Sequence, residues 1–263
     1  MVMRVLSQIS YILLIGCLFV VAPVVALADE VITISATVGT GGGSNSGGGG
    51  GGGGSYTIPT GITFSGKAYP LSTVIVLLNA QEVIRTIAGP DAQFSVSLNS
   101  LNPGSYTFSI LGEDSEGRRS TLFTFPILIT QGATTTVSGI FIAPTIDIDK
   151  IQVKKGENLT IFGETVPGSQ VTISVHSDPE YLFTVQSNTQ GLYQYVLDTA
   201  TLAIGSHETK SKSRVSASEL SSYSNVLGFL VGNTTVANDG ACKRADINCD
   251  GRVNLVDFSI LAF

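Results

Sequence analysis

The chain has 263 residues, of which 43% are hydrophobic and 13% charged, with a formal charge of −6. That is enough apolar side chain for one large domain or two small ones, and it excludes a largely disordered chain. Acid exceeds base, which argues against nucleic acid as a partner, because that binding rests on phosphate neutralisation by Lys and Arg; the acidity suits solubility and cation binding.

Residues 1–28 read as a secretory signal. Arg4 lies in a short positive start, an apolar run follows from Tyr11, and Ala26-Leu27-Ala28 offers a small-x-small cleavage site before Asp29. The expected location is therefore secreted or cell-surface, and the membrane is met only through this segment if it is retained, since its length approaches the ~20 apolar residues a bilayer requires. Leu14-Ile15-Gly16-Cys17 also fits a lipoprotein signal, in which Cys17 carries the lipid. Removal of residues 1–28 leaves 13 basic against 20 acidic residues.

Residues 29–55 hold one strand-like stretch, Val31 to Val38, and then a glycine-rich tract from Gly41 to Ser55 with eight consecutive glycines, Gly47 to Gly54. A tract of this composition buries nothing to offset its backbone entropy, so it is expected to act as a flexible linker. It lacks the Lys-Ser/Thr ending of a phosphate-cradling loop.

From Tyr56 to Gly232 the hydrophobic period is two. Phe94, Val96 and Leu98 alternate with serines, as do Val171, Ile173 and Val175 with Thr172 and Ser174. Turn signals such as Asn102-Pro103-Gly104 and Asp114 to Gly117 separate the runs, at the spacing of a sandwich or small barrel. The region also repeats: SGKAYPLSTVIV (65–76) aligns without a gap on FGETVPGSQVTI (162–173), and LNPGSYTFS (101–109) aligns on LAIGSHETK (202–210). The offsets, 97 and 101, are too long for a solenoid unit but equal one immunoglobulin-type sandwich. Both copies resemble bacterial Ig-like domains, with an early Gly-x-x-x-Pro-x-Ser-x-Val segment and a late Leu-x-x-Gly-Ser strand. The expected fold class is thus all-β, with two tandem Ig-like β-sandwiches over residues 56–142 and 143–232. Neither copy has the Cys…Trp…Cys of antibody domains, so aliphatic, Phe and Tyr packing must hold both cores.

After a linker at 233–241, residues 242–263 carry a different pattern. DINCDGRVNLVD (246–257) places ligands at the spacing of a twelve-residue calcium loop: Asp246, Asn248 and Asp250 by side chain, Arg252 by its carbonyl, Asn254 at the ninth position and Asp257 closing the shell. Gly251 permits the bend at the sixth. Asp in place of the commoner Glu at the twelfth position, followed by an apolar helix, resembles the dockerin repeat Asp-x-Asn-x-Asp-Gly-x-Val-Asn-x-x-Asp-x-x-x-Leu, which residues 246–261 match at every fixed position. The resemblance implies that Ca2+ organises the loop and that the helix docks into a cohesin-type protein domain, with Leu255, Phe258 and Leu261 as a possible docking face. A dockerin of the usual kind pairs two such repeats, whereas one is present up to Phe263, so the expectation is a further repeat beyond it or packing onto another surface. Cys242 and Cys249, the two cysteines left after the signal, form a possible disulfide in an exported protein, two free thiols being the alternative.

Catalytic groups are scarce. The only histidines, His176 and His207, sit in strand-like stretches and are expected at sandwich surface or edge positions. Asp114 and Glu116 read as solvated turn residues, not as a glycosidase pair. Tyr69, Tyr181, Tyr193 and Tyr195 remain open as a sugar-binding platform. The expectation is a non-catalytic exported protein that displays Ig-like spacer modules and docks through its calcium-ordered end, in an assembly of the kind that processes polysaccharide. The alternatives are a surface adhesin or matrix protein binding through its Ig-like faces, and the non-catalytic part of a glycoside hydrolase complex.

Overall fold

The computed structural model describes residues 35–40 and 59–238. The signal segment, the glycine tract, Cys242, Cys249, the calcium loop with all its ligands, and Leu255, Phe258 and Leu261 lie outside the described residues. Within them the only helical element is a single 3-10 turn, Thr199–Thr201.

The first sandwich contains β1 (Ser35–Thr40), β2 (Gly61–Lys67), β3 (Thr73–Leu78), β4 (Gln81–Ile87), β5 (Gln93–Asn99), β6 (Gly104–Glu113), β7 (Phe123–Ile129) and β8 (Ala133–Phe141). They form two four-stranded sheets, ordered β1-β8-β2-β5 and β4-β3-β6-β7. Each strand turns alternate residues inward, so Ile62 and Phe64, Val74 and Val76, and Phe108 and Ile110 are all fully buried between the sheets. Phe64 packs edge-on against Phe108 and Phe125, with ring centroids 5.0 and 5.9 Å apart. Each such buried side chain contributes about 1.5–3 kcal/mol of transfer free energy.

The second sandwich contains β9 (Asp147–Ile148), β10 (Lys150–Lys154), β11 (Asn158–Glu164), β12 (Gln170–His176), β13 (Tyr181–Gln186), β14 (Leu192–Asp198), β15 (Gly205–Ser216), β16 (Glu219–Leu220), β17 (Leu227–Gly232) and β18 (Val236–Ala237). Its sheets are β14-β11-β9 and β13-β12-β15-β17-β10-β18, with β16 pairing β15. Successive strands near its start belong to different sheets: β9 pairs antiparallel with β11, and β10 crosses to pair parallel with β17. Asp149 fixes the crossing, since its carboxylate accepts the Thr160 N–H at 2.7 Å while its own N–H donates to the Thr160 carbonyl.

Equivalent strands begin 97 residues apart at β2 and β11 and 101 apart at β6 and β15. The repeated Gly-x-x-x-Pro-x-Ser segment has a physical basis. A Cβ at Gly66 would lie 2.0 Å from the Ile140 carbonyl oxygen, and one at Gly163 would lie 2.1 Å from that of Thr145, so both positions take the close approach of a neighbouring backbone. The following turns, Tyr69 to Ser72 and Val166 to Ser169, have Pro second and a left-handed residue third, Leu71 at φ 62° and Gly168 at φ 65°. In each, the serine hydroxyl donates to the carbonyl of the first turn residue at 2.7 Å.

The second repeated segment is the tyrosine corner of Ig-type sandwiches. The Tyr106 hydroxyl donates to the Asn102 carbonyl at 3.0 Å, and His207 makes the same bridge to the Ala203 carbonyl through Nε2 at 2.9 Å. The strand order, the corner and the tandem repeat make the fold all-β with two Ig-like sandwiches in series. They differ in what lies beside the equivalent strands β2 and β11. In the first sandwich the last strand, β8, runs parallel to β2, beside it. In the second, the incoming β9 takes that place beside β11.

Candidate functional site: the joint between the sandwiches

The two sandwiches belong to one compact unit, and the residues that join them are buried, not solvated. From Ile142 to Ile146 every residue is buried. Ile142 belongs to the first core and Ile146 to the second. One buried tyrosine from each sandwich grips this segment: the Tyr69 hydroxyl donates to the Ala143 carbonyl, and the Tyr193 hydroxyl donates to the Thr145 carbonyl at 2.6 Å. Burial pushes both phenols up from their ordinary value, so both remain protonated donors at any physiological pH.

A polar cluster completes the joint. Asp114, at the end of β6, accepts the backbone N–H groups of Glu116 and Arg118 at 3.1 and 2.9 Å, the Arg118 Nε at 2.7 Å and the Thr145 hydroxyl at 2.8 Å. Arg118 in turn lies over the Phe162 ring, 5.4 Å from its centroid, with a terminal nitrogen 3.7 Å from Glu164. Thr145 closes the circuit, its Oγ1 accepting the Glu164 N–H at 2.9 Å. Burial and the neighbouring Asp114 charge raise the Glu164 carboxyl above its ordinary value, against the opposing pull of Arg118.

Further contacts flank this cluster. Lys67 pairs with Glu219 at 2.8 Å, the Thr121 hydroxyl donates to the Tyr223 carbonyl at 2.8 Å, and the Asn225 amide donates to the Arg119 carbonyl at 2.8 Å. Ala92 and Phe141 of the first sandwich share a small apolar cluster with Val166 of the second. A cleft of about 470 Å³ opens beside the Lys67–Glu219 pair, lined also by Gln93, Ile140, Phe141 and Leu220.

Several sequence expectations are corrected here. Asp114 is not a solvated turn residue: its side chain is fully buried, closed over by the N–H groups of its own turn, by Arg118 and by the Thr145 hydroxyl, while Ser115, Glu116 and Gly117 stay exposed. His207 is not at the surface either. It is buried against Phe229, ring centroids 5.5 Å apart, as the second copy's corner residue, whereas His176 is exposed at the end of β12. Tyr69 and Tyr193 are buried and committed to the joint. Tyr181 and Tyr195 each lie near-parallel to the Phe183 ring, at 6.3 and 4.5 Å, and all three are half-buried against the second core. Sequence reasoning missed Arg118 and Thr145. An Asp followed by Gly-Arg signals a side-chain-capped turn, but nothing local tells which surface will lie over it.

Among the described residues, no group of three or more His, Cys, Asp or Glu side chains stands together to hold a metal ion, and no helix is long and apolar enough to cross a membrane. The proposed calcium ligands, Asp246 to Asp257, fall outside these residues.

No protein-family model matches the chain, and no curated protein is similar to it. Solved structures similar to it include the BSP domain of a biofilm associated protein (19% identity, TM-score 0.27, covering 62% of this chain and 25% of that one). Another is a tetra-tandem repeat in the extending region of a large adhesion protein (16%, 0.31, 66% and 50%). A third is the fibronectin(III)-like modules of Clostridium thermocellum CbhA (15%, 0.25, 67% and 92%). The chain thus spans a quarter of the length of the first and half of the second.

Proposed function

We propose that this is a non-catalytic protein of the cell exterior, in which two Ig-like sandwiches act as a stiff spacer for a calcium-ordered docking element at residues 242–263. The observation that carries the spacer reading is the joint. Ile142 is buried in the first core, Ile146 in the second and every residue between them is buried, and the adjoining Asp114–Arg118–Glu164–Thr145 cluster ties a turn of one sandwich to a strand of the other. Such a connection transmits position, which a spacer requires and two freely swinging modules lack. The buried polar groups that could have served catalysis, Asp114, Glu164 and His207, are instead engaged in structural contacts.

The docking reading rests on the calcium-loop spacing of residues 246–257 and on its resemblance to a dockerin repeat. It is tested by calorimetric calcium titration of the mature chain beside Asp246→Ala and Asp257→Ala. Calcium binding is expected in the wild type and at least about tenfold weaker binding in each variant, since each removes an anionic ligand from the shell. Unchanged affinity in both variants rejects the site. Deleting residues 240–263 is expected to abolish capture by a cohesin-type domain; retained capture moves binding to the sandwich faces.

A further inference from the structure

The first strand is joined to its sandwich unlike any other. β1 pairs antiparallel with β8 over Ser35↔Ser138 to Thr40↔Ala133, and β2 flanks the other side of β8, its first residue Gly61 opposite Thr134. The end of β1 and the start of β2 therefore lie at the same end of β8, two strand spacings apart, about 10 Å. Four or five residues would close that gap, given roughly 3.3–3.6 Å per extended residue. The sequence supplies residues 41–60, most of them glycine.

β1 is also held almost wholly by its backbone. By register Val38 points to the same face as Thr135, yet Thr135 is 2% exposed and Val38 is 51% exposed, because the facing sheet ends at β7, above β8. Ser35 to Gly39 are all exposed, and no residue of β1 belongs to the first core. If β1 departs, the core stays complete and β8 becomes a free edge.

We infer that β1 is an exchangeable strand and that the edge of β8, residues 133–138, is a strand-acceptor site for β1 of a second copy of this chain. Residues 41–60 far exceed the four or five that the gap requires, so the covalent link places β1 near its own β8 at an effective concentration on the order of millimolar only. A tight turn would hold it far more firmly. A neighbouring copy's β1 at similar density competes on equal terms, and main-chain pairing supplies the recognition, as in other strand additions. Dilute chains keep their own β1; crowded chains, such as copies displayed side by side on a surface, exchange it and become linked. This inference goes beyond the spacer reading and does not depend on the calcium loop.

The test uses the mature chain with Cys242 and Cys249 replaced by Ser. One population carries Thr37→Cys and another Thr136→Cys, a directly opposed pair on the outer face of the β1–β8 ladder. Mixed under mild oxidation, they are expected to form a mixed disulfide in about 5% of chains or fewer near 10 μM and in about half near a few millimolar. The double variant in one chain is expected to close on itself near 10 μM, which checks the β1–β8 register, and to form linked chains increasingly as the concentration reaches millimolar. No mixed disulfide at millimolar concentration, beside complete internal closure, overturns the inference. So does failure of the double variant to close, or equal cross-linking of Thr37→Cys to a cysteine at the exposed Thr184 of β13.

Discussion

Leu71 and Gly168 occupy the same position of the same turn in the two copies, at φ 62° and 65°. Only the second residue suits that conformation, since a left-handed backbone brings a Cβ against the following carbonyl at a cost of about 1–2 kcal/mol. Nothing around Leu71 compensates: its side chain is 68% exposed and lies outside the core. Leu71→Asn is therefore expected to stabilise the first sandwich by about 0.5–1 kcal/mol, because Asn tolerates the left-handed region and does not enlarge the unfolded ensemble as Gly does. The check is urea denaturation, where the midpoint should rise at unchanged slope. A midpoint that falls would mean that Leu71 makes a contact worth more than its strain.

The element that decides the joint is the turn from Asp114 to Arg118, and the two acids that flank Arg118, Asp114 of this turn and Glu164 of β11, are expected to behave in opposite ways. Asp114→Ala leaves the Arg118 guanidinium without its closest partner, two turn N–H groups without an acceptor, and the Thr145 hydroxyl undirected. Removing one member of a buried pair costs about 3–5 kcal/mol, and here the loss should be near the lower figure because Glu164 stands ready to receive part of the charge. Glu164→Gln should do the reverse. The carboxyl binds its proton more tightly in the folded chain than at its ordinary 4.5, with burial as the main cause. Its contribution to stability is then fully present below about pH 4.5 and is lost as pH rises through the raised value. Glutamine never ionises, so the variant should match wild type at pH 4 and exceed it at pH 7 by about a few tenths of a kcal/mol, after allowance for solvent screening. Thermal unfolding of both variants across pH 4–7 separates the two roles. The same turn shows what could be read from the sequence. Alternation marked the strands because a half-buried strand needs period two, and the repeated Gly, Pro and Ser marked turns whose chemistry is local. The burial of Asp114 and His207 was not legible, because it depends in part on groups farther along the chain, the Thr145 hydroxyl for one and the Phe229 ring for the other. The place of β1 was hidden for a similar reason: one alternating octapeptide followed by a glycine tract does not say which sheet edge it will join.

For the molecule as a whole, the decisive quantity is the coupling between the sandwiches. Separate domains joined by a solvated linker unfold independently, since neither loses contacts when the other melts. Here the shared segment supplies Ile142 to one core and Ile146 to the other, and the hydroxyls of Tyr69 and Tyr193 hold the carbonyls between them. Melting either sandwich therefore strips a buried wall from its neighbour and leaves a buried phenol and the Asp114–Arg118 pair without partners. A chain of residues 29–263 is expected to show one calorimetric transition for both sandwiches. Inserting Gly-Ser-Gly-Ser between Ala143 and Pro144 should split it in two, the weaker sandwich melting several degrees lower, because each kcal/mol lost from a domain of this size shifts its midpoint by roughly 4–8 °C. Small-angle scattering on the same pair of proteins should show a fixed particle become a flexible one. Two resolved transitions in the wild type would mean that the joint transmits no stability, and the stiff-spacer reading would fall with it, since a connection that cannot couple unfolding cannot hold the two sandwiches at a fixed angle.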